Sequence, residues 1–110
     1  MELCHKVVEF EEGFRSEVYL CPAGAETVGM GHNLDANPLT DNDCAVLGID
    51  MDKPLRLTRA QAELLLGMDI ERLVIPAAHS IFNAHNWQAF GEVRRAALGS
   101  MIYQLGETGF

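Results

Sequence analysis

The sequence predicts an α+β fold in a single domain, in which one helix and a small β-hairpin precede several further helices. Three observations support this order. Apolar residues recur at helical spacing before residue 15, β-branched and aromatic residues flank a Pro/Gly turn over residues 18–31, and helical periodicity returns after residue 57. A chain of 110 residues, of which 48% are hydrophobic, is long and apolar enough to bury one core.

The first helix is predicted from apolar residues at steps of four, three and four, namely Leu3, Val7, Phe10 and Phe14. This spacing places them on one helix face. Gly13 is expected to end the helix, because glycine adopts the left-handed conformation that other residues resist. The hairpin follows, with strands over residues 18–20 and 27–31 joined by a turn over residues 21–24.

An irregular stretch over residues 33–57 is rich in Asn, Asp and Pro and contains one short predicted helix over residues 42–47. Thr58 opens the next helix, since Gln61 three residues later completes a capping-box pattern. Pro76 lacks an amide hydrogen and is expected to kink or end that helix. The buried stripe of the helix is predicted to consist of Leu66, Ile70 and Leu73.

A last helix is predicted from about Gly91 to Gln104. One face of it is apolar and consists of Val93, Ala97, Met101 and Leu105.

The composition excludes several classes of function. The formal net charge of −8 argues against nucleic-acid binding, which needs basic surface. No apolar stretch is long enough to cross a bilayer, and the charged N-terminus does not resemble a signal peptide. The chain is therefore expected to be soluble, without stable membrane insertion.

The cysteines Cys4, Cys21 and Cys44 are odd in number and irregularly spaced. Such a set fits neither a disulfide framework nor a zinc site. The sequence therefore predicts free thiols in a reducing compartment and no zinc site. A thiol or metal enzyme that pairs Cys21 with His32, or Cys4 with His5, is disfavoured because no third group at a suitable spacing accompanies either pair.

Glu12 is the candidate acid of the chain. It falls in the last turn of the first helix, where the negative end of the helix dipole disfavours a carboxylate and raises its pKa. Glycoside hydrolysis needs such a protonated carboxylic acid, together with a second group that handles water or the sugar cation. From helical spacing alone, a solvated glutamate at a helix end is the more common interpretation.

Residues 12–15, 19–24 and 27–32 together resemble the active-site region of the phage-type lysozymes, the endolysins of glycoside hydrolase family 24. The family motif is Glu, eight residues, Asp or Cys, five residues, Thr. Both intervals are intact here on Glu12, Cys21 and Thr27. Residues 58–74 and 93–109 resemble two later helices of the same family.

The resemblance implies a role for each matched residue. Glu12 would protonate the leaving glycosidic oxygen, and Thr27 would orient the attacking water. Cys21 occupies a position where many members have aspartate; as a thiol it is a weak base, and as a thiolate a strong nucleophile. Whether the reaction inverts or retains the anomeric configuration is left open.

The resemblance also implies contributions outside the motif. His32 and Asp69 match a family ion pair that stabilises the fold and takes no part in catalysis. Glu107 matches a position near the sugar cleft and is a candidate for substrate contact. A buried small side chain in a turn is the ordinary alternative for Cys21.

In the family layout the chain divides into a hairpin lobe over residues 1–57, a connecting helix over residues 58–80, and the start of a helical lobe over residues 81–110. Family members continue for roughly fifty further residues after a short connection, and those residues build most of the helical lobe. Without them the last helix is expected to expose apolar surface, which favours self-association or instability.

The resemblance predicts a muramidase that cleaves the bond between N-acetylmuramic acid and N-acetylglucosamine in bacterial peptidoglycan, without a cofactor, to release phage progeny. It would act from the host cytoplasm, reaching the wall with the help of a holin or a similar route. The alternative is a catalytically silent relative, either a prophage remnant or a wall-binding module. Three features favour the alternative: the missing helical lobe, Cys21 in place of aspartate, and the negative charge, since bacterial walls are themselves anionic.

Overall fold

The structure is a computed structural model that describes the backbone of residues 1–109 and the side chains of residues 1–106. It confirms the α+β class, with a small antiparallel sheet and a series of helices. The chain forms two compact units, the hairpin unit (Glu12–Leu66) and the helical unit (Met1–Glu11 and Gly67–Phe110). The lobe boundaries predicted at residues 57 and 80 stay predictions.

The sheet of the hairpin unit contains strands β1 (Arg15–Leu20), β2 (Glu26–Gly29) and β3 (His32–Asn33), in that order. The predicted hairpin is therefore confirmed, and β3 adds a short strand that the sequence pattern did not show. Tyr19 pairs with Thr27 across β1 and β2, and Val28 pairs with His32 across β2 and β3.

Two capping boxes begin helices in the hairpin unit, of which the sequence predicted the one at Thr58. Helix α2 (Asp41–Leu47) begins after Thr40, whose side chain accepts from the amide of Asp43 while the Asp43 carboxylate accepts from the amide of Thr40. Helix α3 (Arg59–Asp69) begins after Thr58. The backbone amide of Gln61 donates to the Thr58 hydroxyl at 3.1 Å, and the side-chain oxygen of Gln61 accepts from the backbone amide of Thr58 at 2.9 Å. These reciprocal bonds satisfy amides that a helix start otherwise leaves unpaired.

The helix that starts at Thr58 does not end at Pro76. A π-helical turn (Ile70–Val74) follows α3, and helix α4 (Ile75–Phe82) continues from it with Pro76 in its first turn. Leu66 and Ile70 are buried as predicted, but the third predicted residue, Leu73, is 37% exposed and Val74 is buried instead. The wider π turn shifts the helical phase by one residue, so the core-facing position moves from residue 73 to residue 74.

Helix α1 (Glu2–Glu12) is confirmed, but its buried face differs from the predicted one. Cys4 and Val8 are its fully buried residues, whereas Phe10 is 89% exposed. Phe10 follows Val8 by two positions and so points about 200° away around the helix. Phe14 lies beyond the helix, at the junction with β1.

The last part of the helical unit contains helices α5 (Ala84–Ala89) and α6 (Glu92–Gly109). The sequence pattern did not predict α5, whose Trp87 is buried among Phe82 and Phe90 with ring centroids 6.1 Å away. Helix α6 confirms the predicted last helix, and its regular course breaks at Gly106, where φ is +74°.

The outer face of α6 is apolar and exposed, as the sequence leads one to expect. Val93 is 75% exposed and Leu105 is 55% exposed, with Ala97 and Met101 between them also exposed. Self-association through this face stays a prediction. Among the described residues, no helix combines the length and the apolar character that a bilayer span requires.

Candidate active site

Glu12 is the last residue of α1 and is partly buried. Gly13 follows it with φ at +68°, so the chain leaves the helix in the left-handed conformation that the sequence predicted there. This turn leads directly into β1, within the hairpin unit. The candidate acid is thus placed where a helix end meets the sheet of its own unit.

The Glu12 side chain lies against the backbone of Gly31, in the turn between β2 and β3. A Cβ atom built on Gly31 would lie 2.9 Å from Glu12 Oε2 and 3.0 Å from its Cδ. Real Cβ atoms essentially never lie within 3.0 Å of an unbonded heavy atom, so the carboxylate occupies the volume that a side chain at position 31 would fill.

Cys21 begins the turn between β1 and β2. Its amide donates to the carbonyl of Ala25 at 3.0 Å, and the amide of Gly24 donates to its carbonyl at 2.8 Å. Gly24 has φ at +86°, which glycine adopts without steric cost. The thiol is half-buried and unoxidised.

The pKa of the Cys21 thiol is lowered by its hydrogen bonds. The largest contribution comes from the backbone at Ala25, with smaller ones from the backbone at Ala23 and Gly24 and from the Thr27 side chain, while desolvation acts in the opposite direction. Donors aimed at sulfur favour the thiolate over the thiol. The turn therefore favours the ionised form, which is the form that acts as a base or a nucleophile.

Thr27 lies on β2 and is buried. Its hydroxyl donates to the carbonyl of Ala25 at 3.0 Å and hydrogen-bonds the Cys21 thiol. Thr27 therefore helps to stabilise the Cys21 thiolate, and Glu12 belongs to the same compact unit as both residues.

Tyr19 belongs to this region although the sequence pattern gave it no role. Burial raises the pKa of its hydroxyl, and the nearby charge of Glu12 raises the pKa further, against the opposing charge of Arg15. The Arg15 guanidinium lies over the Tyr19 ring, 4.7 Å from its centroid. The only sequence signal for Tyr19 was its place in the segment of residues 19–24 that resembles the family, which does not distinguish a site residue from a strand residue.

The remaining predicted residues are placed as follows. His32 is buried, and its Nε2 lies 2.8 Å from the carbonyl oxygen of Asn37. Asp69 is also buried, and its Oδ1 lies 3.4 Å from the Arg72 guanidinium. The proposed pairing of His32 with Asp69 stays a prediction. Glu107 lies outside the residues whose side chains are described.

Within the described part of the chain, no cluster of three or more His, Cys, Asp or Glu side chains could hold a metal ion. A family model described as phage lysozyme matches residues 9–110. The chain belongs to the phage lysozyme family. The matched range includes Glu12, Cys21 and Thr27, and the fold described above is consistent with that of a phage lysozyme. The family role is lysozyme-type hydrolysis of peptidoglycan by a glycosidase.

Proposed function

We propose that this protein is a muramidase that hydrolyses the β-1,4 bond between N-acetylmuramic acid and N-acetylglucosamine, with Glu12 as its general acid. The observation that carries the proposal is the placement of Glu12, Cys21 and Thr27 in one compact unit, at the intervals of the family motif. The family match supports the reaction class.

Glu12 supplies the proton in this proposal. Its carboxyl group donates to the glycosidic oxygen as the bond from C1 to that oxygen breaks, and the bonding electrons leave with the oxygen. The partly enclosed position of the side chain against the Gly31 backbone limits the rotamers that it adopts. A restricted carboxyl group needs less reorganisation when the substrate binds.

Cys21 and Thr27 act in the attack on C1, on the side of the sugar opposite to the leaving oxygen. In the direct route, Thr27 orients a water molecule, the water oxygen bonds to C1, and the Cys21 thiolate takes the released proton. In the two-step route, the thiolate sulfur bonds to C1 first, and water later displaces it with Glu12 acting as the base. The lowered thiol pKa supports either use of Cys21.

The anomeric form of the first product separates these routes. NMR of the reducing end released from soluble glycan strands shows an α product for direct attack by water and a β product for the two-step route. An adduct of substrate on Cys21, trapped by acid quenching and detected by mass spectrometry, is expected only for the second route.

The biological role that we propose is lysis of the host cell by degradation of its wall. The enzyme would accumulate in the host cytoplasm and reach the wall through a holin-type or similar lesion in the inner membrane. The family match supports a phage origin for the activity.

The test of the proposal is turbidity clearing of outer-membrane-permeabilised bacteria by the purified chain. The wild-type protein is expected to clear the suspension and Glu12→Gln to leave it turbid. Glu9→Gln is the matched control, because it makes the same substitution on the same helix at a residue outside the family motif, whose Oε2 lies 3.9 Å from His5 Nδ1. Circular dichroism confirms that each variant is folded.

Two results would contradict the proposal. A folded wild-type chain that releases no muropeptides would remove the activity and favour the silent wall-binding alternative. Equal clearing by Glu12→Gln and Glu9→Gln would keep the activity and remove Glu12 as its acid.

A further inference from the structure

We propose that Gly31 is a positioning residue, whose missing side chain gives the Glu12 carboxylate its place against the turn between β2 and β3. This inference rests on the proposed function, because it assigns Gly31 a role through the catalytic acid. Gly31 itself contacts no reacting atom in this proposal.

The contact is formed by the whole end of the Glu12 side chain. The Cβ position of Gly31 lies 2.9 Å from Oε2, 3.0 Å from Cδ and 3.1 Å from Cγ of Glu12. These three atoms are the nearest neighbours of that position. A methyl group there would therefore displace the carboxyl group and the carbon that carries it.

Backbone conformation alone does not account for this arrangement. Gly31 has φ at +83°, and Gly13, Gly24 and Gly48 also have positive φ values. At those three glycines, however, nothing lies within 4 Å of the Cβ position. Gly31 therefore combines two separate constraints, the left-handed backbone and the space taken by the acid.

The Gly31 turn has less conformational freedom than the Glu12 side chain. Gly31 belongs to a turn between paired strands, with Val28 and His32 in register on either side. Glu12 has three side-chain torsions and reaches the turn with its flexible end. A substitution at Gly31 is therefore expected to move the Glu12 carboxyl group and to leave the sheet in place.

This difference separates a positioning role from a structural one. Gly31→Ala and Gly48→Ala both force alanine into the left-handed region, so both should lower the melting temperature to a similar extent. Only Gly31→Ala should also displace the acid. Because misplacing a catalytic group by about 1 Å can cost on the order of a hundredfold in rate, the turnover number should fall well beyond the loss seen for Gly48→Ala.

The experiment compares the wild-type chain with Gly31→Ala, Gly48→Ala and Glu12→Gln. Carboxyl carbons of 13C-labelled glutamate are recorded by NMR, and the Glu12 signal is identified by its absence from Glu12→Gln. Turnover and KM are measured on solubilised peptidoglycan strands. We expect the Glu12 signal to move in Gly31→Ala alone, with turnover reduced at least about tenfold relative to Gly48→Ala and KM changed by less than about twofold.

An unmoved Glu12 signal in folded Gly31→Ala would overturn the inference, whatever the activity. So would a moved signal with turnover equal to that of Gly48→Ala. If the wild-type chain is inactive, or Glu12→Gln is fully active, the proposed function or its acid fails and the catalytic role of Gly31 fails with it. The NMR comparison still decides whether Gly31 holds the carboxyl group in place.

Discussion

The Thr27 hydroxyl hydrogen-bonds the Cys21 thiol and also donates to the carbonyl of Ala25, 3.0 Å away. A hydrogen bond that lowers a thiol pKa is one donated to the ionised sulfur, and a hydroxyl has one proton, so Thr27 donates either to the Ala25 carbonyl or to the Cys21 thiolate. Once Cys21 is ionised, the thiolate accepts hydrogen bonds and no longer donates one. The Thr27 proton must then turn toward the sulfur for the contact to persist, and ionisation of Cys21 therefore changes what Thr27 offers to a nearby water molecule.

Thr27→Val tests this coupling, because valine keeps the branched shape of threonine without the hydroxyl. The Thr27 hydrogen bond lowers the pKa of the Cys21 thiol, so its loss should raise that pKa. The pH midpoint of Cys21 alkylation by iodoacetamide is expected to move to higher pH, and muramidase turnover to fall at least about tenfold. Thr27→Ser keeps the hydroxyl and should keep both properties near those of the wild type. Equal midpoints for Thr27→Val and the wild-type chain would contradict the coupling.

The three thiols should differ sharply in reactivity. Cys21 is half-buried with a lowered pKa, whereas Cys4 and Cys44 are buried. Because the thiolate is the reactive form, iodoacetamide near pH 7 is expected to modify Cys21 first and to abolish clearing in parallel. Peptide mass spectrometry locates the label, and Cys21→Ser provides the unlabelled control. Labelling of Cys4 or Cys44 in the folded chain at a rate equal to that of Cys21 would refute the prediction.

Substitutions at Cys21 should distinguish its chemistry from its bulk. The family motif accepts Asp or Cys at this position, and aspartate is ionised at neutral pH, so its carboxylate can accept a proton from water in place of the Cys21 thiolate. Cys21→Asp is therefore expected to remain active, while Cys21→Ala, which has no base, should lose at least about a hundredfold in turnover. Rates on peptidoglycan strands measure both. An alanine variant as active as the wild-type chain would leave Cys21 as a turn residue only.

Local signals in the sequence predicted local structure well. The capping box of Thr58 and Gln61 formed as expected, since both partners lie within one helical turn. The two-residue strand β3 was not predicted, because the alternation of apolar and polar residues cannot be recognised over so short a segment. Val74 replaced Leu73 in the core because a π turn altered the phase, and the sequence periodicity assumes a uniform helix.

The residues of the candidate site also fall into two groups, those predicted from the sequence and those found only in the structure. Glu12, Cys21 and Thr27 could be found from the intervals of a known motif, whereas their helical or strand spacing gave no such indication. Gly31 and Tyr19 required the fold, because their relation to Glu12 arises where a turn and a strand approach the end of α1. A contact between segments that are distant in sequence leaves no periodic signal in a single chain.

Cys4 should make the stability of the helical unit sensitive to alkaline pH. It is 1% exposed, and its sulfur lies 2.8 Å from the position that a Cβ on Gly99 would take. Burial raises the pKa of the Cys4 thiol to about 11, against a smaller opposing effect of the N-terminal charge. Folding therefore keeps this thiol protonated at pH values where it ionises in the unfolded chain.

The sign of the effect follows from that difference. Below the ordinary thiol pKa, Cys4 is protonated in both the folded and the unfolded chain, and the protein has its full stability. As pH rises toward the folded value of about 11, only the unfolded chain ionises, which favours unfolding, so stability is lost. A rise from 9.0 to about 11 corresponds to a loss of about 3 kcal/mol of unfolding free energy. Urea unfolding in reducing buffer at several pH values between neutral and alkaline measures it. Cys4→Ala should have a lower free energy of unfolding at neutral pH but should lose less of it as pH rises. Val8→Ala, which truncates a buried side chain on the same helix without an ionisable group, should keep the wild-type dependence of unfolding free energy on pH. A Cys4→Ala slope equal to that of the wild type would show that Cys4 does not cause the alkaline loss.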